Sequence, residues 1–557
     1  MKSVIYTLAL IVFCWGCSAQ KNSNATLNEE EQSQGDFVRP KLVVGIVVDQ
    51  MRYDYLTRFY NKYGDGGFKR MMREGFNCKN NHFNYIPTYT GPGHASVFTG
   101  TTPKYHGIIA NDWYDKVSKE EVYCAGDSLV NSVGTTSNAG QMSPHRMLTT
   151  TFSDENRLFT QKRGKTISIA IKDRGAILAA GHTANAAYWF HGNDEGHWIS
   201  SSFYQDELPS WVTDFNDSDI EESYMKVWEP LYDINTYTES GDDLNDFEGG
   251  VKGKPTATFP YDLKQLKDAN KGFDILKETP FGNSLTTDFA MAAIKGEQLG
   301  SDDITDVLTL SFSSTDYVGH NFGVNSKEVE DTYLRLDKDL ERFFNFLDVE
   351  VGKGEYTVFL TADHGAVDVP SYLKSNRIPA GYIKWKDFKV KLNGFLESTY
   401  GEKDLIEDIS NNQIFLNHEK IKSMNLNLKN VQEAIVNEII SYPNIQKAYS
   451  ATTMQHSSFS QGIEALLQNG YNQKRSGDVL IVLDTAIISY RKTGTTHGSG
   501  NSYDTHVPLL FYGKGILQGS TLQPTKITDI APTISALLGI SFPNGCTGAP
   551  LGFVLED

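Results

Sequence analysis

Tyr356 to Leu360 reads as a strand buried on both faces, and it runs without a break into Thr361-Ala362-Asp363-His364-Gly365. A carboxylate and an imidazole thus sit side by side where a strand ends, which is where functional groups of open α/β sheets gather. Six further short runs rich in Val, Ile and Leu read as strands: 42 to 48, 166 to 171, 176 to 180, 306 to 312, 479 to 483 and 507 to 512. Most are apolar at every position, as central parallel strands are. Between them lie amphipathic helices. Tyr333, Leu336, Leu340, Phe343 and Leu347 recur at three- and four-residue spacing with charges in between. The same pattern marks Leu428 to Ile440 and Ile530 to Leu538, where Pro532 fits a first turn and Gly539 a stop. Alternation of this kind from residue 41 onward predicts an α/β body.

Two regions fit that alternation poorly. Residues 190 to 285 are dense in Trp, Tyr, Asp and Gly, and 370 to 475 carry a helix of their own around Val431 to Ile440. Both are expected to be insertions on the ligand side of the sheet. With 51 basic against 69 acidic residues the net charge is −18, and no Lys/Arg-rich tract interrupts it. Bulk nucleic acid is therefore excluded as a partner, and no protein partner is evident. An anionic substrate needs a locally positive site, which buried divalent cations supply.

Residues 1 to 19 have the form of an export signal: Lys2, an apolar stretch from Val4 to Phe13, then Gly16, Cys17, Ser18 and Ala19. The stretch is too short to span a bilayer. Cleavage falls after Ala19, or before Cys17 in a bacterial lipoprotein, although Cys14 departs from the leucine usual at that position. The chain is expected to be periplasmic or secreted, with an outer-membrane lipoprotein anchored at Cys17 as the alternative. Residues 20 to 39 then read as a polar, acidic tether. No Cys-x-x-Cys survives processing, so a thiolate zinc site is disfavoured, whereas a Cys78–Cys124 disulfide is compatible with an oxidising compartment.

A lone Asp after a strand usually caps the next helix. Here Asp49 ends the first strand, Asp316 and His320 follow another, and Asp363 and His364 follow a third, so in a parallel sheet they converge on one edge. With His497 they form an oxygen and nitrogen donor set that suits Zn²⁺ at a catalytic site, with Mn²⁺ or Fe next. Thr90, just ahead of Gly91-Pro92-Gly93, is either an N-cap or a nucleophile. Beside a bound cation its hydroxyl would ionise far more readily than in water.

The order Asp49, Pro87-Thr88-Tyr89-Thr90, Asp316-x-x-x-His320, Asp363-His364-Gly365 and Thr496-His497 resembles the alkaline phosphatase superfamily over about residues 40 to 553. The Lys172-Asp173-Arg174 motif and Asn111 resemble its Thr-dependent, phosphate-irrepressible branch in Bacteroidetes-type bacteria. The resemblance implies an alkaline-phosphatase-like, mostly parallel central sheet flanked by helices on both faces, with inserted subdomains on the active-site side. It implies two Zn²⁺, one held by Asp49, Thr90, Asp363 and His364 and the other by Asp316, His320 and His497. It also implies a phosphothreonine at Thr90, small phosphate monoesters as substrates, and phosphoryl contacts from Asn111, Lys172 and Arg174. Asp54, His94 and His506 are expected to pack or support rather than ligate.

Other branches fit less well. Sulfatases need Cys or Ser in a Cys/Ser-x-Pro-x-Arg context, which the Thr90 segment lacks. Phosphoethanolamine transferases carry several membrane helices. Phosphodiesterases and nucleotide pyrophosphatases share Pro-Thr-x-Thr and are the main alternative, and a metal-dependent surface binding protein is the non-enzymatic one. Lys172 and Arg174, two residues apart on an extended backbone, are expected to point into one space and to separate monoesterase from diesterase.

Overall fold

The computed structural model describes residues 39–193 and 195–556. The expected signal and tether, including Cys17, lie outside them apart from Arg39. Fourteen strands organise the body: β1 (Leu42–Val48), β2 (Phe76–Cys78), β3 (Ser132–Val133), β4 (Thr166–Ala170), β5 (Ala186–His191), β6 (His197–Ser201), β7 (Asp306–Phe312), β8 (Tyr356–Thr361), β9 (Ile406–Ser410), β10 (Gln413–Leu416), β11 (Ile445–Ser450), β12 (Val479–Leu483), β13 (Leu509–Gly513) and β14 (Gly519–Thr521). Ten form the central sheet, in the order β14-β2-β13-β8-β1-β7-β4-β5-β6-β3. The middle five, β8-β1-β7-β4-β5, are all parallel, and antiparallel strands flank them. Because Val48 pairs with Phe312 and Val47 with Thr361, the chain leaves β1, β7 and β8 at one level of one edge. That shared level brings Asp49, Asp316 and Asp363 together.

Every residue of β1, β7 and β8 is buried, as their predominantly apolar runs predict. Gly45 in β1 allows Phe359 and Phe98 to close over the strand: a Cβ there would lie 2.7 Å from the Phe359 ring. The helices that matter below are α1 (Thr90–Thr99), α2 (Asp173–Ala180), α3 (Pro280–Glu297), α4 (Ser314–Phe322), α5 (Lys327–Leu347), α6 (Leu428–Ile439) and α7 (Ile530–Leu538). The Ser326 side chain caps α5 by accepting from the Val329 N–H, and the apolar face of the helix is buried in the main core. α7 carries Pro532 in its first turn and stops at Gly539 in the left-handed region, as its sequence predicts.

Two expectations need correction, and one open possibility is closed. Residues 176 to 180 are not a strand but the end of α2; an apolar run rich in alanine cannot be told from a strand by periodicity, and alanine favours helix. Residues 479 to 483 form a strand, but in a separate antiparallel sheet, β9-β10-β12-β11, with α6 packed against it over its own core. Cys78 and Cys124 are separate buried thiols in two different clusters, so no disulfide joins them.

Residues 202 to 279 add no described strand to the central sheet and lean on the first turn of α5. There the Tyr261 hydroxyl donates to Glu328 Oε1 at 2.6 Å and Asn245 Nδ2 donates to Glu248 Oε1 at 2.7 Å, while both Oε2 atoms are buried without a hydrogen bond. Burial pushes both carboxyls above the ordinary glutamate range, and repulsion from Glu328 adds to the shift of Glu248. The native state therefore holds protons that the unfolded chain releases, so this contribution is full below the ordinary glutamate pKa and is lost progressively as pH rises from there through about 8 for Glu328 and about 10 for Glu248. Thermal melts from about pH 5 to about pH 9 should show Glu248→Gln flattening the alkaline decline in Tm by on the order of a few °C. An equally steep decline in the variant would remove this pair as its cause.

Candidate active site

Three imidazoles define the centre, and each is aimed by a main-chain carbonyl. His320 Nδ1 lies 2.7 Å from Thr495 O, His497 Nδ1 2.7 Å from Thr88 O, and His364 Nδ1 3.0 Å from Gly365 O. A carbonyl only accepts, so each Nδ1 carries the proton and each Nε2 presents its lone pair inward. Those Nε2 atoms face carboxylates: His320 is 3.2 Å and His497 3.7 Å from Asp316 Oδ1, and His364 is 3.4 Å from Asp49 Oδ1 and 3.7 Å from Asp363 Oδ2. The donor atoms of Asp316, His320 and His497 all lie within 4.8 Å of one another, and so do those of Asp49, Asp316 and His364.

Asp316 stands in both donor groups, whereas Asp363 belongs to neither and approaches His364 from beside them. Asp49 Oδ1 and Asp363 Oδ2 are buried and accept no hydrogen bond. Buried carboxylate oxygens are normally satisfied, so acceptors that converge with inward-facing imidazole nitrogens fit divalent cations well.

Thr90 begins α1, and its hydroxyl lies 3.4 Å from His364 Nε2. The helix approaches Asp363 closely because Gly93 allows it; a Cβ there would stand 2.4 Å from Asp363 O. His94, also on α1, supports the centre from behind, with Nδ1 3.0 Å from Thr90 O and 3.3 Å from Asp363 Oδ2, and Nε2 2.9 Å from Ser311 Oγ. The Gly91 N–H donates to Asn111 Oδ1 at 2.7 Å. That bond fixes the amide orientation and turns the Asn111 NH₂ group away from Gly91.

Lys172 is buried, and its Nζ donates to Asp49 Oδ2 at 2.7 Å and to Asp316 Oδ2 at 2.5 Å. Burial works against its charge, but Asp316 and Asp49 outweigh burial and hold the ammonium protonated. Burial together with the Asp363 charge raises the Asp49 carboxyl, while burial of Asp316 is outweighed by His320 and Lys172, which bring it well below the carboxylate range. Burial lowers His364 and His497, favouring the neutral imidazole a metal requires.

The expected extended backbone at 172 to 174 is not found: Lys172 caps α2 and Arg174 lies in its first turn. The two cations therefore leave the chain in different directions, Lys172 to the carboxylates and Arg174 Nη1 to the Tyr123 hydroxyl at 3.3 Å, with Arg174 Nε buried and unpaired. Asp54 pairs with Arg52 and Arg58, and His506 stacks on Tyr53 and His82, so both stand apart from the centre.

Sequence reasoning passed over Gln50 and Asp504. Gln50 sits at φ 64°, donates its N–H to Asp363 Oδ1 at 3.1 Å and its amide to Asp316 Oδ1 at 2.6 Å, so it locks two carboxylates at once. Its position beside Asp49 was the only available hint. Asp504 accepts the Gly498 and Ser499 N–H groups and so holds the loop that delivers His497; nothing in its sequence context marks it.

The family model described as type I phosphodiesterase / nucleotide pyrophosphatase matches residues 43–507. The chain belongs to that family. Within the type I phosphodiesterase/nucleotide pyrophosphatase family, it is 47% identical to "Alkaline phosphatase PafA" of Elizabethkingia meningoseptica over 93% of this chain and 95% of that protein. It is 45% identical to a Myroides odoratus protein named "Calcium-transporting ATPase", again over 93% of this chain and 95% of that one. Identity to "Alkaline phosphatase PhoV" of Synechococcus elongatus is 44% over the full length of both. The crystal structure of PafA superposes with a TM-score of 0.90 at 47% identity, covering 93% of this chain and 99% of PafA. In a second PafA structure one threonine, one asparagine, one lysine and one arginine are replaced. The step of 21 residues from the threonine to the asparagine and of two from the lysine to the arginine is the same as from Thr90 to Asn111 and from Lys172 to Arg174.

Proposed function

We propose that this chain is an alkaline phosphatase that hydrolyses small phosphate monoesters through a phosphothreonine at Thr90, with two Zn²⁺ as cofactors. The observation that carries the reading is the Thr90 hydroxyl at a helix N-terminus, 3.4 Å from His364 Nε2 of the donor cluster. Asp49, Thr90, Asp363 and His364 would hold one ion, and Asp316, His320 and His497 the other. Cations bound there would lower the pKa of the threonine hydroxyl and of a water, and would neutralise charge on the departing oxygen.

The chain's own groups then order the reaction. Thr90 Oγ1 attacks phosphorus in line with the ester oxygen; the Oγ1–P bond forms as the P–OR bond breaks, and the alcohol departs. Water next attacks the phosphothreonine, releasing inorganic phosphate and restoring the hydroxyl. The Asn111 NH₂ group donates to a non-bridging oxygen, and the positive end of α1 favours the same charge. Although they leave the chain in different directions, Lys172 beside the carboxylates and Arg174 with its free Nε would supply the cations that a dianionic phosphoryl group calls for and that a singly charged diester does not. The names of the three relatives share phosphoryl chemistry, which supports this reading over the surface binding protein.

Relative kcat/KM on p-nitrophenyl phosphate and bis(p-nitrophenyl) phosphate tests it. The monoester should be strongly preferred, and Lys172→Ala with Arg174→Ala should cost the monoester about 10² to 10³ in kcat/KM but the diester less than about tenfold. Metal content measured on the same samples separates loss of contact from loss of ions. Equal losses, or a preference for the diester, would favour the diesterase. Residues 1 to 19 support export, with lipidation at Cys17 as one form of it. Among the described residues no helix is long and apolar enough to cross a membrane.

A further inference from the structure

Helix α4 has two useful faces. Asp316 and His320 point into the metal-type cluster, whereas Tyr317 and Asn321, one residue beyond each, line a neighbouring cavity of about 480 Å³. The two spaces share a wall. Lys172 Nζ lies 5.1 Å from the centroid of the Tyr317 ring, and Tyr490, next to the cavity residue Arg491, stacks on His320 at 5.7 Å.

The charge around this cavity runs against that of the chain. In a protein of net charge −18, Lys252, Lys254, Lys271, Lys277 and Arg491 surround it, and the carboxylates facing them are Asp274 and Glu278. Lys277 Nζ is paired with Asp274 at 2.6 Å. Glu278 accepts from Asn321 Nδ2 at 3.0 Å, and burial pushes its carboxyl up. Lys254 is turned onto the Tyr261 ring and Thr258 O, and Arg491 Nη2 donates to Asn321 Oδ1 at 2.5 Å. Lys252 and Lys271 are exposed and pair with no carboxylate among the described residues. The cavity thus presents an excess of positive charge on the far side of the wall that Tyr317 forms with the donor cluster.

We propose that this cavity is a leaving-group subsite for a second anionic group, so that the preferred substrates are phosphate monoesters whose alcohol portion carries a carboxylate or a further phosphoryl-type charge. The inference rests on the monoesterase reading above and adds a substrate class to it. Lys252 and Lys271 are the specificity-determining cations, because the other cations nearby are already engaged.

Glucose 1-phosphate and its 6-carboxylate and 6-phosphonate counterparts test this with the reacting group held constant. At low ionic strength both charged esters should exceed glucose 1-phosphate in kcat/KM by about three- to tenfold, with the larger gain for the dianionic phosphonate, and the gain should shrink as salt is added. Lys252→Gln with Lys271→Gln should bring that ratio close to one. Lys353→Gln with Lys429→Gln removes the same total charge from exposed positions elsewhere and should keep the wild-type ratio. Equal kcat/KM for all three esters in the wild type, or an unchanged ratio in the Lys252/Lys271 variant, would overturn the subsite while leaving the monoesterase reading in place. Failure to hydrolyse any of the three would overturn the monoesterase reading itself.

Discussion

Thr90→Ala should lower kcat on p-nitrophenyl phosphate by about four orders of magnitude or more, since it removes the atom that attacks phosphorus. Thr90→Ser, which keeps an oxygen at the same carbon, should retain a large part of the rate. The fold should survive either change. The Thr90 carbonyl, not its side chain, is the partner of His94, and the side chain's one polar contact is the 3.4 Å approach to His364. Acid quenching during turnover should trap one phosphoryl group on the wild-type chain, at the peptide containing Thr90, and none on Thr90→Ala. Activity in the alanine variant within tenfold of wild type, or label on another residue, would remove Thr90 from its role.

Dialysis against a strong chelator should reduce monoester hydrolysis to below about 1% of its starting value, and two equivalents of Zn²⁺ should restore it. The expectation rests on Asp49 Oδ1 and Asp363 Oδ2, which accept no hydrogen bond, lying beside His364, whose lone pair is turned inward like those of His320 and His497 at Asp316. Thermal stability should fall on chelation, because ions bound only by the folded chain stabilise it by mass action. Asp316→Asn should be the most damaging single carboxylate change, as Asp316 stands in both donor groups. Full activity after chelation, with metal analysis confirming removal, would refute the scheme. Restoration by Mn²⁺ but not by Zn²⁺ would change the ion and leave the donor set intact.

Much of this architecture is written locally. The strands that precede Asp49, Asp316 and Asp363 are predominantly apolar, and burial on both faces leaves such runs few other places to go. Their convergence follows from parallel register, so three carboxylates far apart in the chain could be placed together without coordinates. Lys172 and Arg174 show where that logic stops. The turn from β4 into α2 comes within three residues of an apolar stretch that suits either structure, and its choice of helix depends on the sheet it packs beneath. Gln50 and Asp504 were illegible for a different reason. Each depends on backbone geometry, one on a left-handed turn that aims its amide and one on two loop amides that its carboxylate receives, and neither leaves a mark on side-chain periodicity.

The carbonyls of Thr88, Gly365 and Thr495 have a consequence for heredity. Each orients an imidazole through an atom that every residue type possesses, so no exchange of those three side chains deletes the acceptor itself. The supporting loops are then free to change in composition as long as their path is kept. Relatives that differ from this chain at more than half of their positions yet superpose with a TM-score of 0.90 are what such an arrangement permits. Drift in the neighbourhood of the centre is expected to respect the course of the main chain more strictly than the identity of the residues along it.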